Sequence, residues 1–301
     1  MKKIEQKDLF ELKNVGQPVV AGDAFFFTET KMNEKKNSYE TAIYKHTADG
    51  NVAYGDEGTV NSSLKVSPDG KWISFISNAG EEKTPQLKIQ SVQGGKAIAL
   101  TEEKKGVSSY VWAKDSKSIV FQTTKPEEEE KKEEFPQPIV VEKTTYRFDG
   151  GTFLPNDEST QIKKVDVATK ECTTLFESKE SIGLRDVLHH GTTLVVDRDL
   201  SNVRWTLDSA EACYVDVTTG DIHPILEAGT DESYRYVLDS KNGAVLQYSS
   251  GEHGLVTQAD LIVNFDSTPT AEGHILNLTS DLDVEWGDWL VADFQQAVTG
   301  V

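Results

Sequence analysis

The chain has 301 residues, of which 37% are hydrophobic, and its 31 Lys and Arg against 50 Asp and Glu give a net charge of −19 at pH 7. This length fits one large domain or two ordinary ones, and five Trp, nine Tyr and twelve Phe supply enough bulk for a core, which argues against a disordered chain. An acidic surface repels nucleic-acid phosphates and anionic lipid, so we expect neither as a partner.

The first residues and the cysteines indicate the compartment. The opening MKKIEQKDLFELK has charges where a signal peptide needs an apolar run, and no stretch of about 18 apolar residues occurs anywhere in the sequence. Cys172 and Cys213 are too few for a disulfide framework and form no C-x-x-C pair, so we expect two reduced thiols. These features predict a protein of the cytoplasm that does not bind a membrane.

The predicted elements begin with a lead-in helix within residues 1–15, where apolar side chains have a helical spacing. A strand–turn–strand hairpin follows at several places, most clearly in LKVSPDGKWISFIS at 64–77, where Asp69 and Gly70 form the turn. The same pattern returns 46 residues later at 110–123. Weaker copies lie at 18–29, 186–197, 236–248 and 283–294.

A second kind of hairpin alternates with the first, and its bounding apolar residues are 11 apart in all four copies. Three of its turns contain glycine, and the turn at Thr169 and Lys170 is the exception. The copies start at Ile43, Ile89, Val165 and Val215, with intervals of 46, 76 and 50 residues. Two hairpins make a four-stranded antiparallel unit, and repetition at this interval is typical of a β-propeller.

The hairpins divide the chain into five blades, at about residues 16–60, 61–106, 107–182, 183–231 and 232–281. The third blade is longer because 124–151, a run of mixed charge flanked by prolines, leaves the sheet. We interpret this run as a solvated excursion, with a docking arm as the alternative.

The final 20 or so residues would begin a sixth blade. We therefore predict an all-β fold, a propeller that fills 1–301 as a single domain and stops partway through a blade. Its open edge near Trp286, Trp289 and Val291 would expose apolar surface and favour association of copies of the chain.

Four segments carry a resemblance to a known family: DLFELKNVGQPVVAGDAFFFTET, the SPDGKW hairpin, QLKIQSVQGGKAIALTEEKKGVSSYVWAKDSKSIVF, and YRFDGG followed by KKVDVATKE. Together they resemble the N-terminal propeller of prolyl oligopeptidase family serine peptidases, and above all the acylaminoacyl-peptidase branch. The SPDGK hairpin alone is unspecific, because propellers of the Tol system also contain it. The resemblance implies a propeller, usually of seven blades, that caps an α/β-hydrolase domain and admits only short peptides.

The chain itself contains no catalytic motif. It has no G-x-S-x-G pentapeptide, the strained turn that presents the serine of an α/β-hydrolase. Its six histidines lack a zinc-site spacing, and His189-His190 is interpreted as a solvent-facing turn. Asp197 and the acidic and basic residues after it are interpreted as a solvated rim or as charge pairs that each contribute little, with a calcium site as the alternative. We expect no cofactor and no metal.

One segment, YRFDGG at 146–151, is a candidate for substrate binding. The resemblance implies that it faces the tunnel or the hydrolase domain, where Tyr146 and Arg147 would contact a peptide or its carboxylate, the arginine by bidentate pairing. The alternative is that Tyr146 and Phe148 pack the excursion onto the blade while Asp149 and Gly150 form a turn.

The resemblance implies a non-catalytic propeller portion of an acylaminoacyl-peptidase-like serine peptidase. It would gate short peptides and dock on a hydrolase domain that is not in this chain, so that the chain alone is inactive. The alternative is a free-standing propeller that binds a protein or peptide and has no peptidase partner. Metal-dependent catalysis in the channel of the propeller would need ligands converging from inner strands, and that pattern is not evident.

Overall fold

The structure is a computed structural model that describes residues 5–56, 60–80, 83–126, 138, 140–141, 159–188, 191–200, 210–229, 232–240, 243–250, 259–264 and 275–279. In these ranges the chain is nearly all β. In the predicted lead-in helix at 1–15, the described residues form only one short 3-10 helix, Gln6–Glu11, and 13–15 already belong to the first strand. The first turn of the helix is closed by a hydrogen bond from the Glu5 backbone N to the Asp8 carboxylate.

Twenty strands in the described ranges form five sheets of four consecutive strands, and each pair with a defined register is antiparallel. Sheet 1 contains β1 (Lys13–Ala21), β2 (Ala24–Asn33), β3 (Ser38–Thr47) and β4 (Gly50–Tyr54). Sheet 2 contains β5 (Asn61–Val66), β6 (Trp72–Ser77), β7 (Gln86–Ser91) and β8 (Ile98–Ala99). Sheet 3 contains β9 (Val107–Trp112), β10 (Ser118–Thr124), β11 (Thr160–Asp166) and β12 (Cys172–Ser178).

The last two sheets repeat the arrangement. Sheet 4 contains β13 (Ile182–Leu188), β14 (Thr193–Asp199), β15 (Ala210–Asp216) and β16 (Ile222–Pro224). Sheet 5 contains β17 (Glu232–Ser240), β18 (Gly243–Ser250), β19 (Asp260–Asn264) and β20 (Ile275–Asn277). The two alternating kinds of hairpin in the sequence are therefore the first and second halves of each sheet.

The chain divides into two compact units. One consists of Met1–Pro126 with Ile162–Thr174, and it contains the first two sheets and most of the third. The other consists of Glu127–Gln161 with Leu175–Val301, and it contains the fourth and fifth sheets.

Within the first unit, neighbouring sheets are held together by their apolar faces. On β6, Ile73 and Phe75 pack with Phe26 and Ile43 of sheet 1, whereas Ile76 packs with residues of sheet 3. Because successive side chains of a strand point to opposite faces, β6 contributes apolar side chains to the contacts with both sheet 1 and sheet 3. Phe26, Ile43, Ile73 and Phe75 are each fully buried, which removes the full apolar surface of these side chains from water.

Buried hydrogen bonds also join sheets 2 and 3. Tyr110, on β9, is almost fully buried and donates a hydrogen bond to the carbonyl oxygen of Ser63. Its hydroxyl accepts a hydrogen bond from Ser74 Oγ at 2.9 Å, and Ser74 in turn accepts one from the indole N–H of Trp112 at 2.7 Å. Burial raises the pKa of the Tyr110 hydroxyl well above its ordinary value, so it remains a hydrogen-bond donor at any physiological pH.

The first strand of every sheet in the described ranges contains one irregularity of register against the second strand. In sheet 2 the shift falls between Ser62 and Lys65, and in sheet 4 it falls between Leu184 and Asp186. An extra residue in one strand increases the local twist and turns a side chain or carbonyl in a new direction. The Ser63 carbonyl that binds Tyr110 lies in such a bulge.

The turn that lacked glycine in the sequence has the same backbone as its glycine-containing copy. Lys170 has φ +62° and Gly220 has φ +79°, and the N–H of each binds the carbonyl four residues earlier, on Asp166 and Asp216. The preceding aspartate in each turn also accepts hydrogen bonds from two backbone N–H groups, which lower the pKa of its carboxyl. The turn is therefore made by the aspartate, and Lys170 adopts a strained left-handed conformation.

Replacing Lys170 by glycine should stabilise the chain by about 0.5–1 kcal/mol, because the strain relieved exceeds the extra entropy of the unfolded state. The matched change Gly220→Ala should destabilise it by a similar amount, since nothing lies within 4 Å of the added Cβ and only the backbone conformation is penalised. Urea unfolding of the two variants measures both effects. A destabilised Lys170→Gly variant would show that the lysine side chain, rather than the turn, governs this position.

Candidate functional site

The predicted peptide-binding residues, Tyr146 and Arg147, lie outside the described residues, and so does the pair His189-His190. Of the excursion at 124–151, the structure describes only 124–126, 138 and 140–141. The residues of the predicted open edge, near Trp286 and Trp289, are also outside the described ranges. These assignments remain predictions.

The described residues contain no group of three or more His, Cys, Asp or Glu side chains placed to hold a metal ion. Among them there is also no helix with the length and apolar character needed to cross a bilayer.

The interpretation of Asp197 as part of a solvated rim is wrong. Its relative exposure is 6%, and Glu211, on the neighbouring strand, is 5% exposed. The physical reason is the position of β14 inside sheet 4, between β13 and β15, where Leu194, Val195 and Val196 are all fully buried. A carboxylate at the end of such a strand is buried with it and needs charged or hydrogen-bonding partners.

Both oxygens of the Asp197 carboxylate have a donor. Arg185 Nε donates to Oδ2 at 2.5 Å, and the backbone N–H of Tyr236 donates to Oδ1 at 2.9 Å. Arg185 is the extra residue of the β13 bulge, because Leu184 is paired with Val196 and Asp186 with Val195. Asp197 therefore ties the bulge of sheet 4 to the first strand of sheet 5.

A second hydrogen bond joins the same two strands. The Tyr236 hydroxyl donates to Asp186 Oδ2 at 3.1 Å, and Asp186 Oδ1 accepts the backbone N–H of Val187 at 2.7 Å. We refer to Arg185, Asp186, Asp197 and Tyr236 as the Arg185 cluster. Its two carboxylates are both supplied with donors from within the sheets.

Burial controls the electrostatics of the cluster. It raises the pKa of Asp197 above the ordinary carboxyl value, and the charge of Arg185 and the Tyr236 N–H oppose part of that rise. A raised pKa means that the folded chain binds the proton more tightly than the unfolded chain. The contribution of Asp197 to stability therefore falls as the pH rises from the ordinary carboxyl pKa through the raised one.

A second ion-pair group lies beside the cluster on the same sheet. Arg198 pairs with the buried Glu211 through Nη2, and with Glu180 through Nη1 at 3.6 Å. Next to Glu211, the thiol of Cys213 is fully buried. Burial, and then the charge of Glu211, raise its pKa to about 12, so Cys213 stays protonated and unreactive at neutral pH.

The arrangement is suited to holding charge rather than to covalent catalysis. Nucleophilic catalysis needs a hydroxyl or thiol within reach of a base that accepts its proton. The thiol of Cys213 is instead kept protonated by its burial and, to a lesser extent, by the negative charge of Glu211 beside it. What the described residues of this region offer to a ligand is the partly exposed guanidinium of Arg185.

Comparison with known proteins identifies one relative by sequence and several solved structures with a similar fold. No family model matches the chain. The uncharacterized peptidase YuxL of Bacillus subtilis strain 168 is 28% identical over 212 residues, which cover 67% of this chain and 32% of the relative. This chain therefore spans about a third of the length of the curated relative it matches.

Two solved structures define the fold. Acylaminoacyl peptidase of Pyrococcus horikoshii has a TM-score of 0.70 at 20% identity, over 93% of this chain and 42% of the peptidase. The β-propeller domain of the Trilobed protease from Pyrococcus furiosus has a TM-score of 0.58 at 16% identity, over 90% of this chain and 73% of that domain.

The chain has a β-propeller fold, and the described sheets are its blades. The predicted fold class is confirmed. The resemblance seen in the sequence is confirmed for the propeller portion, because the similar structures are an acylaminoacyl peptidase and the propeller domain of a protease, and the curated relative is named as a peptidase.

Sequence reasoning missed the Arg185 cluster. One signal was available, since the run Leu194–Val195–Val196 is apolar without alternation and such a strand is buried on both faces. It would have placed Asp197 inside the sheet. Nothing in the sequence marked the bulge that sets the position of Arg185, because bulges depend on the pairing of two strands.

Replacing Asp197 by alanine should destabilise the chain by about 2–4 kcal/mol, since it removes the acceptor of the Tyr236 N–H and leaves Arg185 without its partner. The control is Asp221→Ala, at an exposed position, which should stay within about 0.5 kcal/mol of the unmodified chain. Chemical denaturation of both variants distinguishes these values. Equal stability of the two would contradict the buried ion pair.

The two thiols should differ in reactivity. We expect iodoacetamide at mildly alkaline pH to modify the exposed Cys172 of the native chain and to leave the buried Cys213 unmodified. Because burial and the charge of Glu103 raise the pKa of Cys172 too, its reaction should be slower than that of an unstructured peptide thiol. Mass spectrometry of the native chain, the denatured chain and the variant Cys172→Ser measures this. Modification of native Cys172→Ser would contradict the structure around Cys213.

Proposed function

We propose that this chain is the propeller portion of an acylaminoacyl-peptidase-like serine peptidase of the prolyl oligopeptidase family. In this proposal residues 1–301 are one non-catalytic domain that docks on an α/β-hydrolase domain and restricts its substrates to short peptides. The observation that carries the proposal is the match of 93% of the chain to an acylaminoacyl peptidase with a TM-score of 0.70.

Two further observations support it. The chain corresponds to about a third of a relative named as a peptidase, which is the proportion that one domain of a larger enzyme would have. The sequence also lacks G-x-S-x-G, so the serine that the proposal requires has to belong to another domain. A partner domain and a cytoplasmic location are parts of the proposal.

Tyr146 and Arg147 are the proposed contacts with the peptide. The guanidinium of an arginine can donate hydrogen bonds to the oxygens along a peptide, while a neighbouring aromatic ring packs on its side chains. The support for these contacts is the resemblance of the sequence, in which this segment can face the tunnel or the hydrolase domain.

The test is a hybrid enzyme in which this chain replaces the matching third of YuxL. We expect the hybrid to cleave an acetylated tripeptide and to cleave casein, a long unstructured chain, at least about tenfold less efficiently, because the propeller excludes it. Intact YuxL serves as the reference, and circular dichroism establishes that the hybrid is folded. A folded, active hybrid that cleaves both substrates equally well would refute gating, and a folded hybrid without activity would refute docking.

The site residues are tested in the same hybrid. Arg147→Ala should raise KM for the tripeptide about tenfold with little change in kcat, as expected when substrate binding alone is weakened. Lys143→Ala, four residues before Arg147 in the sequence, is the matched control and should leave KM unchanged. If the Arg147→Ala variant has the same KM as the unmodified hybrid, Arg147 does not bind the peptide.

A further inference from the structure

The guanidinium of Arg185 is only partly used by the fold. Its Nε binds Asp197, and its side chain remains 36% exposed. Across the described ranges, no carboxylate other than that of Asp197 lies within ion-pair distance of it. A guanidinium carries five N–H donors in a planar fork, so its two terminal nitrogens still have donors to offer.

The orientation of Arg185 is fixed from two directions. The bulge in β13 determines where its backbone lies, and the buried carboxylate of Asp197 holds its Nε. Asp197 cannot turn toward another partner without losing the Tyr236 N–H. An arginine held in this way loses little conformational entropy when it binds a ligand.

The neighbouring arginine provides a contrast. Arg198 is 25% exposed, and both of its terminal nitrogens are engaged by carboxylates, Nη1 by Glu180 and Nη2 by Glu211. Arg198 therefore completes an ion-pair group within the sheet. Arg185 uses Nε instead and keeps its terminal nitrogens for another acceptor.

The charge of the Arg185 cluster is compatible with an anion. The positive charge of Arg235 also opposes the rise that burial causes in the pKa of Asp197, less than the charge of Arg185 does, and so offsets part of the negative charge of the two carboxylates. Asp186, the second carboxylate, has its oxygens bound by the Tyr236 hydroxyl and by the Val187 N–H. An arriving carboxylate would meet the fork of Arg185 with both nearby acids already bound by donors.

We propose that Arg185 binds the terminal carboxylate of a short peptide through its two terminal nitrogens, with Asp197 as the positioning residue. A planar carboxylate matches the fork of a guanidinium through two parallel hydrogen bonds, a geometry that an ammonium group does not provide. That the carboxylate belongs to a peptide rests on the proposed function. The site itself rests on the contacts of Arg185.

The test is calorimetric titration of the complete chain with acetyl-Ala-Ala and with the same peptide as its C-terminal amide. We expect the acid to bind at least about tenfold more tightly than the amide, because hydrogen bonds to a charged acceptor are strong. Acetate is titrated as a third ligand. Binding of acetate as tight as that of the acid would mean that the site takes free carboxylates rather than peptides.

Three variants define the role of each residue. Arg185→Lys keeps the charge but not the fork, and it should lose the part of the preference for the acid that the paired hydrogen bonds provide. Asp197→Asn keeps an acceptor for the Tyr236 N–H, and it should reduce that preference by loosening Arg185. The matched control Arg198→Lys should retain the full preference, and thermal unfolding monitors the folding of all three.

Equal binding of acid and amide, no binding of either, or an Arg185→Lys variant that keeps the full preference would overturn the inference. These results are separate from the hybrid-enzyme assay. A hybrid that gates substrates together with a chain that does not distinguish acid from amide would leave the proposed function standing without this site. A chain that prefers the acid together with a hybrid that fails would leave a carboxylate site in a propeller of another function.

Discussion

The fold depends on covering the apolar faces of its four-stranded sheets. A sheet whose side chains are apolar on both faces is stable only when another sheet lies on each side of it. Sheet 2 shows the requirement most directly, since β6 sends Ile73 and Phe75 to one neighbour and Ile76 to the other. Hydrophobic burial provides most of the stabilisation but little directional specificity, because it depends mainly on area.

Hydrogen bonds between neighbouring sheets provide that direction. Tyr110 reaches the bulge of sheet 2, and Tyr236 reaches the bulge region of sheet 4, so in both units a tyrosine of a first strand is anchored in the preceding sheet. A buried donor or acceptor that loses its partner costs free energy. Each of these sets of hydrogen bonds therefore favours one position of a sheet relative to its neighbour. In sheet 4, Asp197 binds both the Tyr236 N–H and Arg185 Nε, so the contact that joins sheets 4 and 5 also holds Arg185 at the surface. The same contact thereby orients a guanidinium that can bind a ligand.

Much of this fold could be predicted from the sequence, because hairpins are local. Asp69 and Gly70 form a turn that the Asp-Gly dipeptide alone predicts, and alternating apolar residues identify the two strands beside it. The turn at Lys170 was less visible because Asp166, four residues earlier, makes it. The Arg185 cluster could not be predicted, since it joins Arg185, Asp197 and Tyr236 through a bulge and a contact between sheets, and neither is local in sequence.

The central claim is that this chain folds as propeller blades and, under the proposed function, that the hydrolytic chemistry belongs to another domain. The most direct measurement is labelling of the purified, folded chain with a fluorophosphonate probe, which reacts with activated serines, beside a serine hydrolase of known activity. The account predicts no labelling of this chain under conditions that label the hydrolase fully. Stoichiometric labelling at one serine would contradict it and would identify a nucleophile within the blades.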